Sequence, residues 1–429
     1  MTQIKDLTEK TSVVDDDVFA IDDSEASNIT KKVKVSRIKT YLKTYLDTLY
    51  VALTGDQTVA GVKTFSSFPV TPSSAPTTDY QVANKKYVDD NAGGGGTNQN
   101  DIINPEFAVA QRGTTFDAST LVTNSDGNYT FDRWVLLSDS NDIVDLTQLT
   151  SGLPTGIHRG MKATVQTINK QFGFLQILSA ANSAKYLSDN ASLRFYAKMG
   201  AADDNTHSLK ANVLAWNGTA DSPTKDVVSA WGATVTLATN WTAENTAASN
   251  TLTTSWQEFT IEGVSVDTSG MTNIAVFIYC DQTDGALADE IYLTQVKLEN
   301  SATCTDYIAP IYEREKMACR YYYWNTFDFG LGSITGQAIS TTNVVIGLFF
   351  PEMRTMPTVD AYLTNPVSLL TVNASSANNI NIALTAISVG GTQTVNSVRL
   401  TATVASGLVA GNASYIKSLS VSYDAEIGV

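Results

Sequence analysis

Short runs of alternating apolar and polar residues recur along most of the chain, and they predict β-strands. Residues 18–21 and 31–35 flank a charged turn and predict a small hairpin. Further strands are predicted at 234–237, 256–261, 273–279 and 291–298. Because many short strands separated by turn signals are typical of sandwiches and jelly rolls, residues 101–310 are predicted to form a jelly-roll-like β-sandwich.

One segment follows a helical pattern. Ser36 is a suitable N-cap, and the helix is predicted to run to about Tyr50. Its apolar residues alternate in steps of four and three, as in a coiled-coil seam formed by Ile38, Leu42, Tyr45 and Leu49. A helix of about 15 residues is marginal in water by itself. The helix is therefore expected to pack either on other copies of the chain or on the neighbouring hairpin, and the sequence leaves both open.

Residues 51–92 contain few apolar side chains and three prolines that favour extended chain. With so few apolar side chains the segment cannot form a core as a monomer. It is therefore predicted to be a shaft in which several copies of the chain intertwine. Contacts between copies are expected at the seam residues and at Phe65, Tyr87 and Val88. Residues 93–100 begin with four glycines and predict a hinge.

The remaining segments complete a mainly β, multidomain organisation. Residues 1–50 are predicted to form an N-terminal module with the short helix, and residues 311–429 a second, smaller β domain. Near the start of that domain, residues 313–323 favour a short helix, and a strand is predicted at 321–324.

The composition of the chain narrows the range of functions that can be expected. The 429 residues carry a net charge of −15, with only 17% charged and 43% hydrophobic residues. An excess of negative charge repels phosphate backbones, so nucleic-acid binding is not expected. No apolar run approaches the ~20 residues of a membrane span, so membrane insertion is not expected either. The first residues lack the apolar stretch of a signal peptide, so no secretory route is visible.

The residues that most often perform chemistry are scarce. There are two histidines, His158 and His207, and three cysteines without a paired spacing, Cys280, Cys304 and Cys319. Two acidic loops, 124–128 and 281–285, lack the terminal Glu of an EF-hand, and turn chemistry explains them. The sequence therefore predicts no cofactor, no metal site and no enzymatic activity.

A carbohydrate site is the sharpest binding hypothesis, since sugar rings stack on aromatic faces and hydroxyls pair with amides and carboxylates. The candidate residues lie in a turn-rich stretch between about 215 and 245, and they are Trp216, Trp231, Trp241, Asn217, Asp221, Asn240 and Glu244. Core packing of the three tryptophans is the alternative. Trp134 and Trp256 are expected to lie in the core.

Several motifs, in order along the chain, resemble those of bacteriophage tail-fibre or receptor-binding proteins. They are GDQTVAGVKTF at 55–65, NKKYVD at 84–89, DRW at 132–134, VKLE at 296–299, CRYY at 319–322 and FPEMRTMPTV at 350–359. The family patterns have Thr where this chain has Asn84, Gln where it has Lys297, and a Gln between Cys319 and Arg320. Residues 4–8 and 15–18 are similar to virion-attachment segments of such fibres.

The resemblance implies a homotrimer on the virion, docked to other virion proteins through its N-terminus, with distal domains that recognise a host-surface glycan. The sandwich would be similar to carbohydrate-binding modules. Two alternatives from other classes remain open. One is a purely structural fibre or adaptor in the head, collar or tail, and the other is a polysaccharide-degrading tailspike.

Overall fold

The computed structural model describes residues 12–23, 29–49, 100–203, 207–280, 286–325, 333–363, 368–372, 379–390, 393–411, 413–417 and 419–428. The chain divides into two compact units, Met1–Asn84 and Lys85–Val429. None of the helices within the described ranges has the length and apolar character needed to cross a membrane. The predicted shaft lies outside the described residues, as does the predicted hinge apart from Asn100.

A hairpin and a helix form the described part of the first unit. Strand β1 (Val18–Asp23) pairs antiparallel with β2 (Ile29–Lys34), which confirms the predicted hairpin. Helix α1 (Val35–Leu49) follows directly and begins one residue before Ser36, the predicted N-cap. Ser36 therefore lies inside the first turn of the helix.

The predicted seam of α1 lies largely open in this unit. Ile38 is half-buried, whereas Leu42 and Tyr45 are 49% and 53% exposed. Leu49 is the last residue of the helix. The other predicted contacts between copies, Phe65, Tyr87 and Val88, lie outside the described residues. The adjacent hairpin therefore covers only part of the helix.

The larger unit begins with a β-sandwich, which confirms the predicted architecture. Its described strands, in chain order, are β3 (Thr115–Phe116), β4 (Asn128–Tyr129), β5 (Val135–Ser138), β6 (Val144–Leu149), β7 (Gly160–Val165), β8 (Phe172–Ile177), β9 (Asn190–Met199), β10 (Ser208–Trp216), β11 (Val228–Ala230), β12 (Thr236–Leu237), β13 (Trp241–Ala243), β14 (Asn250–Thr251), β15 (Gln257–Ser265), β16 (Asn273–Cys280) and β17 (Glu290–Glu299). A short helix, α2 (Ala180–Ser183), lies between β8 and β9.

Two antiparallel sheets face each other. The seven-stranded sheet has the order β13-β10-β16-β8-β5-β4, with β14 also paired to β10. The six-stranded sheet has the order β15-β9-β17-β7-β6-β3. Strands β11 and β12 form a separate pair.

Aromatic side chains fill the space between the two sheets. Trp134 is fully buried there, and its ring centroid lies 4.9 Å from that of Phe107. Its indole N–H donates to the carbonyl oxygen of Asn104 at 2.9 Å, which satisfies the one polar atom of the side chain. The expectation that Trp134 belongs to the core is confirmed.

Strand β16 shows why one segment of the sequence is continuously apolar. It is a central strand between β10 and β8, and every one of its residues is buried. One face packs toward the six-stranded sheet, and Phe277 and Tyr279 stack on the opposite face with ring centroids 4.9 Å apart. Because both faces are covered, neither needs to be polar.

The C-terminal part starts with a helix and continues as short strands. Helix α3 (Tyr312–Arg320) confirms the helix predicted near residue 313. A strand follows it, as predicted, at Tyr323–Asn325. The described strands are β18 (Tyr323–Asn325), β19 (Ser333–Ala338), β20 (Asn343–Phe349), β21 (Thr358–Leu363), β22 (Ser368–Val372), β23 (Asn379–Val389), β24 (Ser397–Val404), β25 (Ala413–Lys417) and β26 (Leu419–Asp424). Strands β18, β26 and β21 form one sheet, and the other six close on themselves.

The sandwich and the C-terminal strands contact each other closely inside the second unit. The Tyr129 hydroxyl donates to the carbonyl oxygen of Ile427 at 2.6 Å, and the Gln111 side chain donates to that of Tyr323 at 2.7 Å.

The last sandwich strand ends at Glu299 and α3 begins at Tyr312, on either side of the predicted boundary at residue 310. Whether that boundary separates two independent domains stays a prediction.

Candidate functional site

The outward face of the six-stranded sheet carries an aromatic and charged surface. Along β9, Leu193, Phe195 and Ala197 are fully buried in the core, so the residues between them lie on the opposite face. Neighbouring strands align these outward residues in rows. Tyr196 is paired with Glu258 and Thr294, and Lys198 is paired with Tyr292.

Two aromatic rings and a lysine form the centre of this surface. The rings of Trp256 and Tyr292 meet edge to face, with centroids 6.2 Å apart and planes at 81°. The ammonium group of Lys198 lies 4.5 Å from the Tyr292 centroid and 5.5 Å from that of Trp256. The indole N–H of Trp256 donates to the carbonyl oxygen of Gly152 at 2.8 Å, which holds the ring in place. All three side chains are half-buried.

A carboxylate held by two donors borders the aromatic pair. Lys162 donates to Oε1 of Glu290 at 2.6 Å, and the Tyr292 hydroxyl donates to Oε2. Burial acts to raise the pKa of Glu290, but the hydrogen bonds from Lys162 and Tyr292 outweigh it, so that pKa lies below its ordinary value. Glu290 is therefore ionised and oriented at neutral pH.

A second carboxylate lies in the neighbouring row. The Tyr196 hydroxyl and the Arg194 guanidinium both donate to Oε2 of Glu258, at 2.7 and 2.6 Å. Glu258 is exposed, and Tyr196 is half-buried. The hydrogen bond to Glu258, followed by burial, raises the pKa of Tyr196, so its hydroxyl stays a donor. The surface thus combines fixed aromatic rings with oriented hydrogen-bond donors and acceptors. We name this surface the aromatic face, and its residues are Lys162, Arg194, Tyr196, Lys198, Trp256, Glu258, Glu290 and Tyr292.

Two of the three sequence-predicted tryptophans do not lie on an open surface. Trp216 and Trp241 are 7% and 6% exposed, and their ring centroids lie 5.3 Å apart. Their indole N–H groups donate to the carbonyl oxygens of Thr219 and Thr224 at 3.1 and 3.0 Å. Protein therefore covers the faces of both rings, which is the core packing that the sequence left as the alternative.

Trp231 is half-buried and lies with its ring centroid 6.1 Å from that of Phe277, on the outer side of the seven-stranded sheet. Of the tryptophans in the stretch between about 215 and 245, it has the most accessible ring. It lies on the opposite side of the sandwich from the aromatic face.

The four polar residues of the hypothesis take different positions. Asn217 and Asn240 are exposed, and the Asn217 N–H donates to the carbonyl oxygen of Asn240 at 3.1 Å. Asp221 accepts from the Ala180 N–H at 2.7 Å, and Glu244 accepts from the Asp267 N–H at 2.8 Å. Both carboxylates thus hold loop backbone. The seven residues are not gathered into one cleft.

Trp256 was expected in the core, and this expectation is wrong. Trp256 is two and four residues before the polar residues Glu258 and Thr260, so the alternation places it on their face of the strand. Phe259 and Ile261, on the other face, pack against the core. Alternation within the segment 256–261 was the signal that could have placed it on the solvent side. A strand that alternates has two faces, and the apolar nature of a tryptophan does not by itself choose between them.

A separate cavity of about 590 Å³ lies where the sandwich meets α3, and its lining includes His158 and two carboxyl groups, Glu106 and Glu315. Burial raises the pKa of both carboxyls, against the opposing effects of their hydrogen bonds. Glu106 accepts from the Tyr307 hydroxyl at 3.0 Å, and Glu315 accepts from the Asn104 N–H at 2.6 Å. Both groups therefore have structural partners.

No protein-family model matches the chain. No curated protein matches it either. Among solved structures, the chain is similar to the xylan-binding domain CBM22-1 of Paenibacillus barcinonensis Xyn10C, with 12% identity, 42% of this chain and 94% of that chain covered, and a TM-score of 0.27. It is also similar to TmCBM61 in complex with beta-1,4-galactotriose, with 10% identity over 47% of this chain and 99% of that chain, at a TM-score of 0.27.

The enzymatically active domain of tailspike protein 4 from bacteriophage CBA120 is a further similar structure. The identity is 13%, the match covers 42% of this chain and 21% of that chain, and the TM-score is 0.26. Likeness at this level assigns no function to the chain.

Proposed function

We propose that the chain is a bacteriophage fibre protein whose aromatic face binds a host-surface glycan. The observation that carries the glycan-binding proposal is the half-buried pair Trp256 and Tyr292, bridged by Lys198 and bordered by the carboxylates Glu290 and Glu258. The proposal assigns no catalytic activity and no cofactor to this surface.

The chemistry of the aromatic face matches that of a sugar. A pyranose ring presents C–H groups on its faces and hydroxyls around its edge, so it needs aromatic surface at the centre and polar groups at the border. The Gly152 carbonyl holds Trp256, and Lys162 holds Glu290, so both groups are oriented before a ligand arrives. Pre-organised groups lose little entropy on binding, which favours affinity.

The fibre role rests on the motif resemblance and on the open side of α1. Tyr41, Leu42, Tyr45 and Leu46 are each at least 46% exposed, and coverage by two further copies in a homotrimer would remove them from water. The N-terminal unit would dock on other virion proteins, and the molecule would therefore be located in the virion. Three copies would raise weak single-site affinity through effective concentration.

The test is a glycan array with the full chain, followed by calorimetric titration of the glycans that bind. Trp256→Ala is expected to weaken binding at least about tenfold, since a central aromatic anchor supplies much of the binding energy. Trp231→Ala is the matched control, because it removes a half-buried indole on the other side of the sandwich.

The two variants separate the outcomes. Loss of binding in Trp231→Ala with full binding in Trp256→Ala would move the site to the stretch between about 215 and 245. A full chain that binds no glycan from host lipopolysaccharide or capsule would contradict the proposal and favour a purely structural fibre or adaptor.

A second candidate function is polysaccharide cleavage at the cavity that Glu106 and Glu315 line. Two carboxyls in one cleft are what glycoside hydrolysis requires, and a raised pKa suits a general acid. Incubation of the full chain with host polysaccharide, followed by a reducing-end assay, tests it. Product that disappears in Glu106→Gln and Glu315→Gln would establish this candidate, and no product from the full chain would exclude it.

A further inference from the structure

Three side chains meet at one end of the sandwich, next to Glu290 at the edge of the aromatic face. Asp203 lies after β9, His207 directly before β10, and Asp289 directly before β17. Strands β9 and β17 are neighbours in the six-stranded sheet, and β10 belongs to the other sheet. The cluster therefore lies where the two sheets come together.

The cluster is enclosed and contains an unsatisfied nitrogen. The side chain of His207 is 2% exposed, and those of Asp203 and Asp289 are 3% and 5% exposed. Nε2 of His207 is buried without a hydrogen-bond partner. Such an atom is costly to bury, so an unpartnered Nε2 beside two carboxylates points to a ligand between them.

The distances fit a metal ion. Nε2 of His207 lies 3.2 Å from Oδ2 of Asp289 and 3.6 Å from Oδ2 of Asp203, and one ligand atom from each residue lies within 4.8 Å of the others. Ligands bound at ~2.0–2.1 Å to a tetrahedral ion are separated by ~3.3 Å. The distances from the imidazole nitrogen to the two carboxylates are therefore close to those between neighbouring ligands of one ion.

Backbone groups orient both carboxylates. The Gly200 N–H donates to Oδ2 of Asp203 at 2.9 Å, and the Glu290 N–H donates to both oxygens of that group. The Ala286 N–H donates to Oδ2 of Asp289 at 2.7 Å. Second-shell donors of this kind fix the direction of metal ligands.

We propose that Asp203, His207 and Asp289 bind a divalent transition-metal ion of the Zn²⁺ class, which fastens the two sheets together at this end. Imidazole is a ligand that Zn²⁺ accepts well, whereas Ca²⁺ takes oxygen ligands. Two carboxylates and a neutral imidazole carry two negative charges, which a divalent cation neutralises. This inference departs from the sequence analysis, which expected no metal site.

The test uses the full chain after treatment with a chelator and dialysis. Titration with Zn²⁺ in the presence of excess Ca²⁺ is expected to show one site per chain and to raise the melting temperature by about 3 °C or more. Co²⁺ in place of Zn²⁺ is expected to give a visible d–d spectrum that Zn²⁺ abolishes. Failure of the full chain to bind either metal at one equivalent would overturn the proposal.

The chain supplies its own matched control, because it has only two histidines. His207→Gln is expected to remove the metal-dependent shift and the Co²⁺ spectrum, and exposed His158→Gln to keep both. Asp289→Asn is a second variant with nearly unchanged volume, so a folding defect in His207→Gln does not decide the result. Full Zn²⁺ binding by a folded His207→Gln or Asp289→Asn would also overturn the proposal.

Discussion

Arg133 and Glu426 form an ion pair that protein encloses completely, although 293 residues separate them along the chain. The guanidinium of Arg133 also donates to the carbonyl oxygen of Ile177 at 2.5 Å and lies 3.6 Å from the centroid of the Tyr322 ring. A second buried guanidinium, that of Arg112, lies 3.5 Å from Glu426. The Glu426 carboxylate is therefore shared by two cations of the sandwich, and Asp424 and Asp132 lie 3.2 and 3.9 Å from Arg112 as well.

Glu426→Gln is expected to lower the free energy of unfolding by about 3 kcal/mol or more, because it leaves two guanidiniums buried without this carboxylate. Equilibrium denaturation of the second unit measures the change. Asp139→Asn is the control, since Asp139 pairs with Lys170 at the surface and such a pair contributes at most about 1 kcal/mol. Equal losses in the two variants would contradict a buried network.

Trp241→Ala is expected to destabilise the protein by about 3–5 kcal/mol, because it removes a large side chain from a packed cluster. Trp256→Ala removes the same atoms from a half-buried position and is expected to cost on the order of 1 kcal/mol. Chemical denaturation of both variants tests the difference. A larger loss for Trp256→Ala would show that its ring is a core element.

The stability of the protein is expected to depend on pH through Asp132. Burial raises the pKa of this carboxyl to about 6, against the opposing effects of Arg112 and of hydrogen bonds from Gln111. The unfolded value is about 3.9, so the folded state binds the proton more tightly. The contribution of this group is fully present below pH ~4 and is lost as the pH rises to ~6.

The stability of the wild type relative to Asp132→Asn is therefore expected to fall by about 2 kcal/mol between pH 4 and pH 6. Denaturation curves at a series of pH values measure this difference. Asp139→Asn, a surface substitution, controls for the other titrating groups. A difference between the wild type and Asp132→Asn that stays constant over this range would contradict the raised pKa.

The full chain is expected to have a mass in solution of three times 46.1 kDa. The double variant Leu42→Asp and Leu46→Asp is expected to weaken the trimer, because it introduces charges into the apolar side of α1. Thr44→Asp is the control, since its position is remote from the seam on the helix. Analytical ultracentrifugation distinguishes the outcomes, and a monomeric wild type would contradict the homotrimer.

Much of the local structure follows from the sequence. The hairpin and the helix after it show distinct periodicities, strand β16 is a continuous apolar run, and the segment near residue 320 has helix-forming residues followed by aromatic ones. Each of these elements is present. Periodicity is a local property, so it can be recognised without knowledge of distant residues. The motif DRW at 132–134 can also be recognised in the sequence, but the contacts that its three side chains make cannot. Asp132, Arg133 and Trp134 have partners that lie elsewhere in the chain, at Gln111, Glu426 and Asn104.

The amino-acid sequence by itself determined which residues alternate along each strand, and so which of them share a face. Only the tertiary structure decided which faces are covered. The outer face of the seven-stranded sheet is packed against the β11–β12 pair and against Tyr322 and Ile427, so Trp216 and Trp241 are buried. The outer face of the six-stranded sheet leaves Trp256 accessible. Alternation has the same period on both sheets, and coverage depends on elements that are distant in sequence.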